Sequence, residues 1–108
     1  MQRTRAGRVF FMEMNARIQV EHPVTESIFG LDLIKAQIQV ALGHHIYMKQ
    51  EDLVSRGHAI ECRINAECPA ENFRPSPGVI KSMQLPGGNG IRIDSGYSTG
   101  DEISPYYD

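Results

Sequence analysis

The sequence predicts an α+β fold, with one main helical segment and several short strand-like segments. Apolar residues recur at helical spacing from Val24 to Leu42, which predicts helix because positions three or four apart share one face. The run VFFMEM at 9–14 is rich in apolar residues and predicts a buried strand. The alternating stretch HAIECRI at 58–64 predicts another strand. The side chains expected on its apolar face are His58, Ile60, Cys62 and Ile64.

Size and composition are those of one modest globular domain. The chain has 108 residues, of which 41% are hydrophobic and 22% charged, and its formal net charge is −2. This balance argues against wholesale disorder and gives no electrostatic basis for binding nucleic acid or an anionic membrane. Apolar runs are too short for a membrane-spanning helix, and two cysteines are too few for a disulfide framework. We therefore expect a soluble, cytoplasmic protein.

The helical segment contains its own start and stop signals. Gly30 interrupts the periodic pattern, which predicts a short helical turn at 24–29 followed by a longer helix at 32–42. Asp32 is suited to cap the second helix, and Gly43 is suited to end it.

The later part of the chain predicts a β-hairpin. Residues 69–78 are a proline-rich connector, and two strand-like stretches follow at 79–84 and 91–94. The sequence PGGNG at 86–90 joins them and has the composition of a tight turn.

Polar side chains occupy alternate positions in the segment MEMNARIQVEH at 12–22. On an extended backbone such residues share one face. A carboxylate beside an amide oxygen suits Mg²⁺ or Mn²⁺, and a guanidinium beside an amide suits a small planar oxyanion. A second carboxylate could accept a proton. We call these residues the polar row, and they are Glu13, Asn15, Arg17, Gln19 and Glu21.

An ordinary solvent-exposed strand face would also explain this alternation, and on alternation alone that interpretation is favoured. Two features argue against it. The row lacks Thr, Lys and Ser, which are common on such faces. Glu13 also follows a run expected to be buried on both sides, where a carboxylate needs a partner or a metal.

The segment FFMEMNARIQVEHPVTE resembles the signature of biotin carboxylases, which are ATP-grasp ligases of acetyl-CoA, pyruvate and related carboxylases. The similarity continues through DLIKAQIQVALG, RGHAIECRINAE, FRPSPG, the PGG loop and PYYD, and so covers residues 9–108. It implies that 9–50 form the last strand and helix of an ATP-grasp domain. It also implies that 51–108 begin the β-rich C-terminal domain of biotin carboxylase. Residues 1–8 would be a basic arm or a truncation boundary.

The resemblance implies roles for the polar row. Glu13 corresponds to a glutamate that contacts ATP and a metal ion, and Asn15 to a metal-binding asparagine. Arg17, Gln19 and the backbone of Val20 correspond to a bicarbonate-binding cradle, in which Arg17 is also catalytic.

Two further catalytic roles follow from the same resemblance. Glu21 corresponds to the proposed general base that deprotonates bicarbonate, and Arg63 to the arginine that stabilises the biotin enolate. Without the resemblance, a surface arginine paired with Glu61 or Glu67 would be the better explanation of Arg63. Arg92 falls where the family has contacts across its dimer.

The implied reaction is the ATP-dependent carboxylation of carrier-bound biotin by bicarbonate, through carboxyphosphate. It is the first half-reaction of acetyl-CoA carboxylase in fatty acid synthesis. The implied cofactors are ATP, Mg²⁺ or Mn²⁺, and biotin on a carrier. The implied partners are the biotin carboxyl carrier protein, the carboxyltransferase and a second copy of the full-length chain. Pyruvate or acyl-CoA carboxylase remains an alternative, as does a non-catalytic, truncated binding module.

The sequence also departs from the family pattern. The glycine-rich flap, the nucleotide-binding lysines and a second metal-binding glutamate have no counterpart. None of its three lysines, Lys35, Lys49 and Lys81, has a phosphate-binding context. We therefore expect a middle-to-late piece of the enzyme that is inactive alone and is marginally stable or prone to associate.

Overall fold

The structure, a computed structural model, describes residues 2–3 and 7–106 and combines short helices with short paired strands, as the α+β prediction requires. The helices are α1 (His22–Phe29) and α2 (Leu33–Ala41), with 3-10 turns at Gln50–Asp52 and Pro69–Glu71. The strands are β1 (Gln2–Arg3), β2 (Val9–Phe10), β3 (Glu67–Cys68), β4 (Arg74–Pro75), β5 (Gly78–Val79) and β6 (Glu102–Ile103). In residues 2–3 and 7–106, no helix is long and apolar enough to cross a membrane.

The chain divides into two compact units, Met1–Cys62 and Arg63–Asp108. The first contains β1, β2, α1 and α2, and the second contains β3 to β6. Each strand pair is antiparallel and isolated from the others: β1 with β2, β3 with β4, and β5 with β6.

Both predicted helices are confirmed. They could be predicted because the residues that begin and end them act on their immediate neighbours. Pro23 lies in the first turn of α1, where its fixed φ suits the helix. Gly30 ends α1 with a φ of 66°, in the left-handed region that glycine adopts at low cost. At the start of α2, the Asp32 side chain accepts a hydrogen bond from the Lys35 N–H at 2.7 Å. Gly43 follows α2 with a φ of 87°.

The predicted buried strand at 9–14 is wrong in extent and in burial. Only Val9–Phe10 is strand, paired with Gln2–Arg3. Phe11, Met12 and Met14 are 67%, 63% and 77% exposed. A strand extends only where a neighbour satisfies its backbone N–H and C=O groups, and none pairs with the described chain beyond Phe10.

Residues 1–8, expected to be a basic arm or a truncation boundary, are described only in part. Gln2–Arg3 form β1, and residues 1 and 4–6 lie outside the described residues. Residues 107–108, at the end of PYYD, lie outside them as well.

The predicted strand at 58–64 does not form. Ile60 and Ile64 are 80% and 91% exposed, and Cys62, expected on an apolar core face, is exposed too. Alternation states which side chains would share a face, but it supplies neither a pairing strand nor a layer to pack against.

The predicted hairpin of 79–84 with 91–94 is also wrong. β5 pairs with β6 instead, and the Ile80 N–H and C=O continue that pairing to Asp101 and Gly100, both at 2.9 Å. The PGGNG segment does turn, because the Ile91 N–H donates to the Gly88 carbonyl at 3.2 Å. The turn was predicted correctly, but the strand partner was not.

The described part of the chain has almost no buried interior. No apolar side chain among residues 7–106 is buried, and the one buried side chain there is that of Glu26, 7% exposed. Local turns, caps and short ladders therefore define this structure more than a hydrophobic core does.

Candidate functional site

An open groove of about 940 Å³ in the first unit brings the polar row together. The row's two carboxylates, two amides and guanidinium all line it. A groove with such a lining can bind a small polar anion through the guanidinium, with a carboxylate in the same groove. The members of the row are Glu13, Asn15, Arg17, Gln19 and Glu21.

Helix α2 supplies an apolar wall of this groove. Its lining residues are spaced three and one apart, which places them on a single helix face. The apolar residues that recur at helical spacing here do not line the groove: Ile34, Ile38 and Leu42 are 39%, 57% and 72% exposed. The residues of α2 that line the groove are Leu33, Ala36, Gln37, Val40 and Ala41.

The polar row does not meet through strand alternation. Residues 11–19 are not strand, and Met14 and Ile18, expected on the opposite face, line the same groove. Val20 is not among the lining residues and is 50% exposed in the turn before α1. The five residues of the polar row line one groove, but strand alternation does not bring them there.

The Arg17 side chain is held by the backbone carbonyl of the next residue. Its Nη1 donates to the Ile18 carbonyl at 3.1 Å. The guanidinium is planar and carries five N–H donors in a fixed fork, so one anchored nitrogen restrains the orientation of the others.

Glu21 is the residue at which the turn becomes helix. It is the N-cap of α1, and its backbone carbonyl accepts a hydrogen bond from the Val24 N–H at 3.1 Å. Its side chain makes no capping hydrogen bond and is exposed. The Glu21 side chain therefore does not cap α1, and it lines the groove.

His22 lines the groove, although the sequence analysis did not select it. Its ring Nδ1 lies 2.8 Å from the Gln19 carbonyl oxygen, and its backbone N–H donates to the same oxygen at 3.2 Å. A histidine directly after the last acid of the row, at the first position of a helix, was the signal available in the sequence.

Glu26 is a second residue that sequence analysis missed. Its Oε1 accepts a hydrogen bond from the Leu33 N–H at 2.6 Å and so satisfies a free donor at the start of α2. Leu33 in turn lines the groove. Glu26 therefore acts on the site through α2, without lining the groove itself.

Arg63 belongs to the second unit and is exposed. Within the described residues it forms no ion pair with Glu67, one of the partners considered for a surface arginine. The other, Glu61, is half-buried, and its Oε2 is buried with no hydrogen-bond partner in the described part of the chain.

The donor set fits a divalent cation only as a partial site. Within the part of the chain that the structure describes, no three His, Cys, Asp or Glu side chains cluster in a way that could hold a metal ion. Glu13 and Asn15 nonetheless offer a carboxylate and an amide oxygen to one groove. That suits Mg²⁺, which commonly takes one or two protein carboxylates and completes its shell with phosphates and water.

Two family models match the chain in succession. Residues 2–49 match the ATP-binding domain of the carbamoyl-phosphate synthase L chain, and residues 61–108 match the biotin carboxylase C-terminal domain.

Individual relatives agree with these matches. Biotin carboxylase 1 of Bacillus subtilis is 61% identical over 101 residues, which are 94% of this chain and 22% of that protein. A pyruvate carboxylase subunit of Methanothermobacter thermautotrophicus is 56% identical over 102 residues, 94% of this chain and 21% of the relative. The chain thus spans about a fifth of the length of these relatives.

Solved structures agree as well. The biotin carboxylase domain dimer of 2-oxoglutarate carboxylase from Hydrogenobacter thermophilus, in complex with MgADP, ADP and bicarbonate, matches with a TM-score of 0.90 and 53% identity. The match covers 96% of this chain and 23% of that one. The fold is accordingly that of the end of an ATP-grasp domain with part of the C-terminal domain. In both sequence and fold, the chain is similar to biotin carboxylases.

Proposed function

We propose that this chain supplies the bicarbonate-activating part of a biotin carboxylase, which uses ATP to carboxylate carrier-bound biotin through carboxyphosphate. The observation that carries the proposal is the convergence of the polar row in one groove. A guanidinium flanked by amides, with a carboxylate in the same groove, matches what bicarbonate needs to be held and deprotonated. The names of the relatives agree with this chemistry.

Arg17, Gln19 and the backbone N–H of Val20 form the proposed bicarbonate cradle. The guanidinium offers paired donors in one plane, which suits a planar oxyanion better than a single ammonium would. The anchoring of Nη1 on the Ile18 carbonyl supports this role, because a restrained donor loses less freedom when it binds.

Glu21 is the proposed general base. It would take the proton of bicarbonate, and the resulting oxyanion would attack the γ-phosphate of ATP. Its exposed carboxylate, which is not used to cap α1, supports this assignment.

Glu13 and Asn15 would hold Mg²⁺ or Mn²⁺, and Glu13 would also contact ATP. A divalent cation supplies charge neutralisation at the phosphates during phosphoryl transfer. The two side chains contribute oxygen donors beside the bicarbonate cradle, which would place the nucleophile near the phosphate it attacks.

Arg63 would act on the second substrate. A cationic guanidinium stabilises negative charge as it develops on the biotin ureido oxygen. The exposed position of Arg63 leaves its side chain accessible to a carrier-bound substrate.

The finer assignment is the biotin carboxylase component of acetyl-CoA carboxylase, acting in fatty acid synthesis with a biotin carboxyl carrier protein and a carboxyltransferase. We place the proposed boundary between the ATP-grasp segment, 9–50, and the C-terminal segment, 51–108. The complete protein would be a homodimer, with Arg92 near the contact. Relatives named for pyruvate and 2-oxoglutarate carboxylases keep those substrates as alternatives.

A graft tests the proposal. Residues 9–106 of this chain replace the matching segment of Bacillus subtilis biotin carboxylase 1, and bicarbonate-dependent ATP cleavage is measured with and without free biotin. We expect activity in the graft. As a control, the corresponding segment of the 57% identical Nostoc biotin carboxylase is grafted in the same way. An active Nostoc graft beside an inactive graft of this chain would overturn the proposal.

A further inference from the structure

The Gln19 carbonyl oxygen receives two hydrogen bonds from one residue. The His22 backbone N–H donates to it at 3.2 Å, and the His22 ring Nδ1 lies 2.8 Å away. A carbonyl oxygen has no hydrogen to give, so the hydrogen of the ring contact must sit on Nδ1. The geometry thus selects the Nδ1–H form of the imidazole.

This contact constrains the next peptide group. The peptide between Gln19 and Val20 is planar and trans, so its C=O and N–H point in opposite directions. Holding the Gln19 oxygen toward His22 therefore directs the Val20 N–H away from His22. Without the ring contact, the 3.2 Å hydrogen bond from the His22 backbone N–H would remain as the contact that the described residues make with the Gln19 carbonyl oxygen.

The ring itself is well placed to serve as an anchor. His22 is the first residue of α1, is half-buried and lines the groove. Its backbone is held by the helix, so the ring transmits the position of α1 to the preceding turn. Glu21, between the two partners, is carried by the same turn.

We infer that His22 is a positioning residue, whose Nδ1–H fixes the Gln19–Val20 peptide and so holds the turn from which the Gln19 side chain faces the bicarbonate groove. The inference rests on the proposed bicarbonate cradle. In this role His22 does not bind the anion itself. It orients the turn that carries part of the bicarbonate cradle, and donors that are already oriented before binding stabilise an anion most effectively.

The test uses the 108-residue chain, nitrogen NMR of its histidine rings and titration with ¹³C-labelled bicarbonate. We expect the Nδ1–H form at His22. His22→Leu removes the ring donor and should weaken bicarbonate binding about tenfold, the value of one net hydrogen bond. His22→Asn places an amide N–H near the Nδ1 position and should restore most of the binding, whereas His22→Gln should not.

The control is His45→Leu, because His45 is exposed and does not line the groove. It should bind bicarbonate like the unsubstituted chain. Far-UV circular dichroism of each variant checks that α1 persists, and the Asn variant keeps the test decisive if His22→Leu loses helix.

The outcomes separate the two proposals. An Nε2–H ring at His22, unchanged binding in His22→Leu, or equal weakening in His22→Asn and His22→Leu would overturn the positioning role while the cradle stands. Absence of bicarbonate binding by the unsubstituted chain would overturn the cradle, and the role of His22 would fall with it.

Discussion

The Glu26 carboxylate accepts a hydrogen bond from the Leu33 N–H at 2.6 Å and so joins the end of α1 to the start of α2. The same residue's backbone carbonyl accepts the Gly30 and Leu31 N–H groups, at 2.8 and 3.2 Å. One residue thus closes the first helix with its main chain and opens the second with its side chain. The second helix carries a wall of the groove, so the site depends on this junction.

Replacing Glu26 should loosen α2. We expect Glu26→Leu to reduce the protection of the first-turn amides of α2 by about 1–2 kcal/mol, because the part-buried Leu33 N–H loses its acceptor. Glu26→Gln keeps an acceptor oxygen, so the amide protection should fall by less. Amide hydrogen exchange measures both. Glu51→Leu, at an exposed acid outside the groove, is the matched control, and equal loss in that variant would contradict the assignment.

Replacing Arg17 should disable bicarbonate use. In the Bacillus graft, we expect Arg17→Lys to lower kcat/KM for bicarbonate by on the order of 10²–10³. Lysine keeps the charge but lacks the planar fork of donors. Steady-state kinetics with varied bicarbonate are the measurement, and Arg56→Lys, exposed and outside the groove, is the control. A variant with unchanged kcat/KM would show that the fork is not needed.

Replacing Arg63 should slow biotin carboxylation more than it weakens substrate binding. An interaction that strengthens toward the transition state appears in kcat, so Arg63→Ala in the graft should lower kcat by on the order of 10²–10³. ATP binding should stay nearly intact. Arg74→Ala, which removes a surface pair with Glu71, is the control. Near-normal kcat in Arg63→Ala would make Arg63 an ordinary surface arginine.

The 108-residue chain alone should not catalyse bicarbonate-dependent cleavage of ATP. Phosphoryl transfer depends on positioning the triphosphate and neutralising its charge, and none of the three lysines lies in a phosphate-binding context. We expect no bicarbonate-dependent release of phosphate from ATP above a buffer control. The active graft serves as the positive control in the same assay. Bicarbonate-dependent cleavage by the purified chain would refute this expectation.

The isolated chain should associate in solution. Val9, Phe10, Phe11 and Met12 are all more than half exposed, and β2 continues into unpaired backbone. Size-exclusion chromatography over a range of concentrations should show species larger than a monomer, and Phe10→Ser with Phe11→Ser should shift the distribution toward monomer. Tyr47→Ser, at an exposed aromatic outside this run, is the comparison. A sharply melting monomer at every concentration would count against the prediction.

Local sequence was enough for the helices and their ends. Pro23, Gly30, Asp32 and Gly43 act within a few residues of themselves, so caps and stops could be assigned without knowing what the helices pack against. The polar row was assigned from residue type and strand alternation, and its members line one groove although the backbone at 11–19 is not strand.

Tertiary structure decided everything that requires a partner distant in the sequence. β5 pairs with 102–103 instead of 91–94, and residues 58–64 form no strand, because strand formation depends on which backbone groups meet. The contacts of Glu26 with Leu33 and of His22 with Gln19 join residues only seven and three apart, but residue patterns do not show them because they depend on the geometry of the intervening turns. The sequence by itself determined where the helices begin and end, and it predicted the five polar side chains that line the groove. Only the folded chain decided which strands pair and which residues hold those side chains in place, because hydrogen bonds between separate segments are set by three-dimensional proximity.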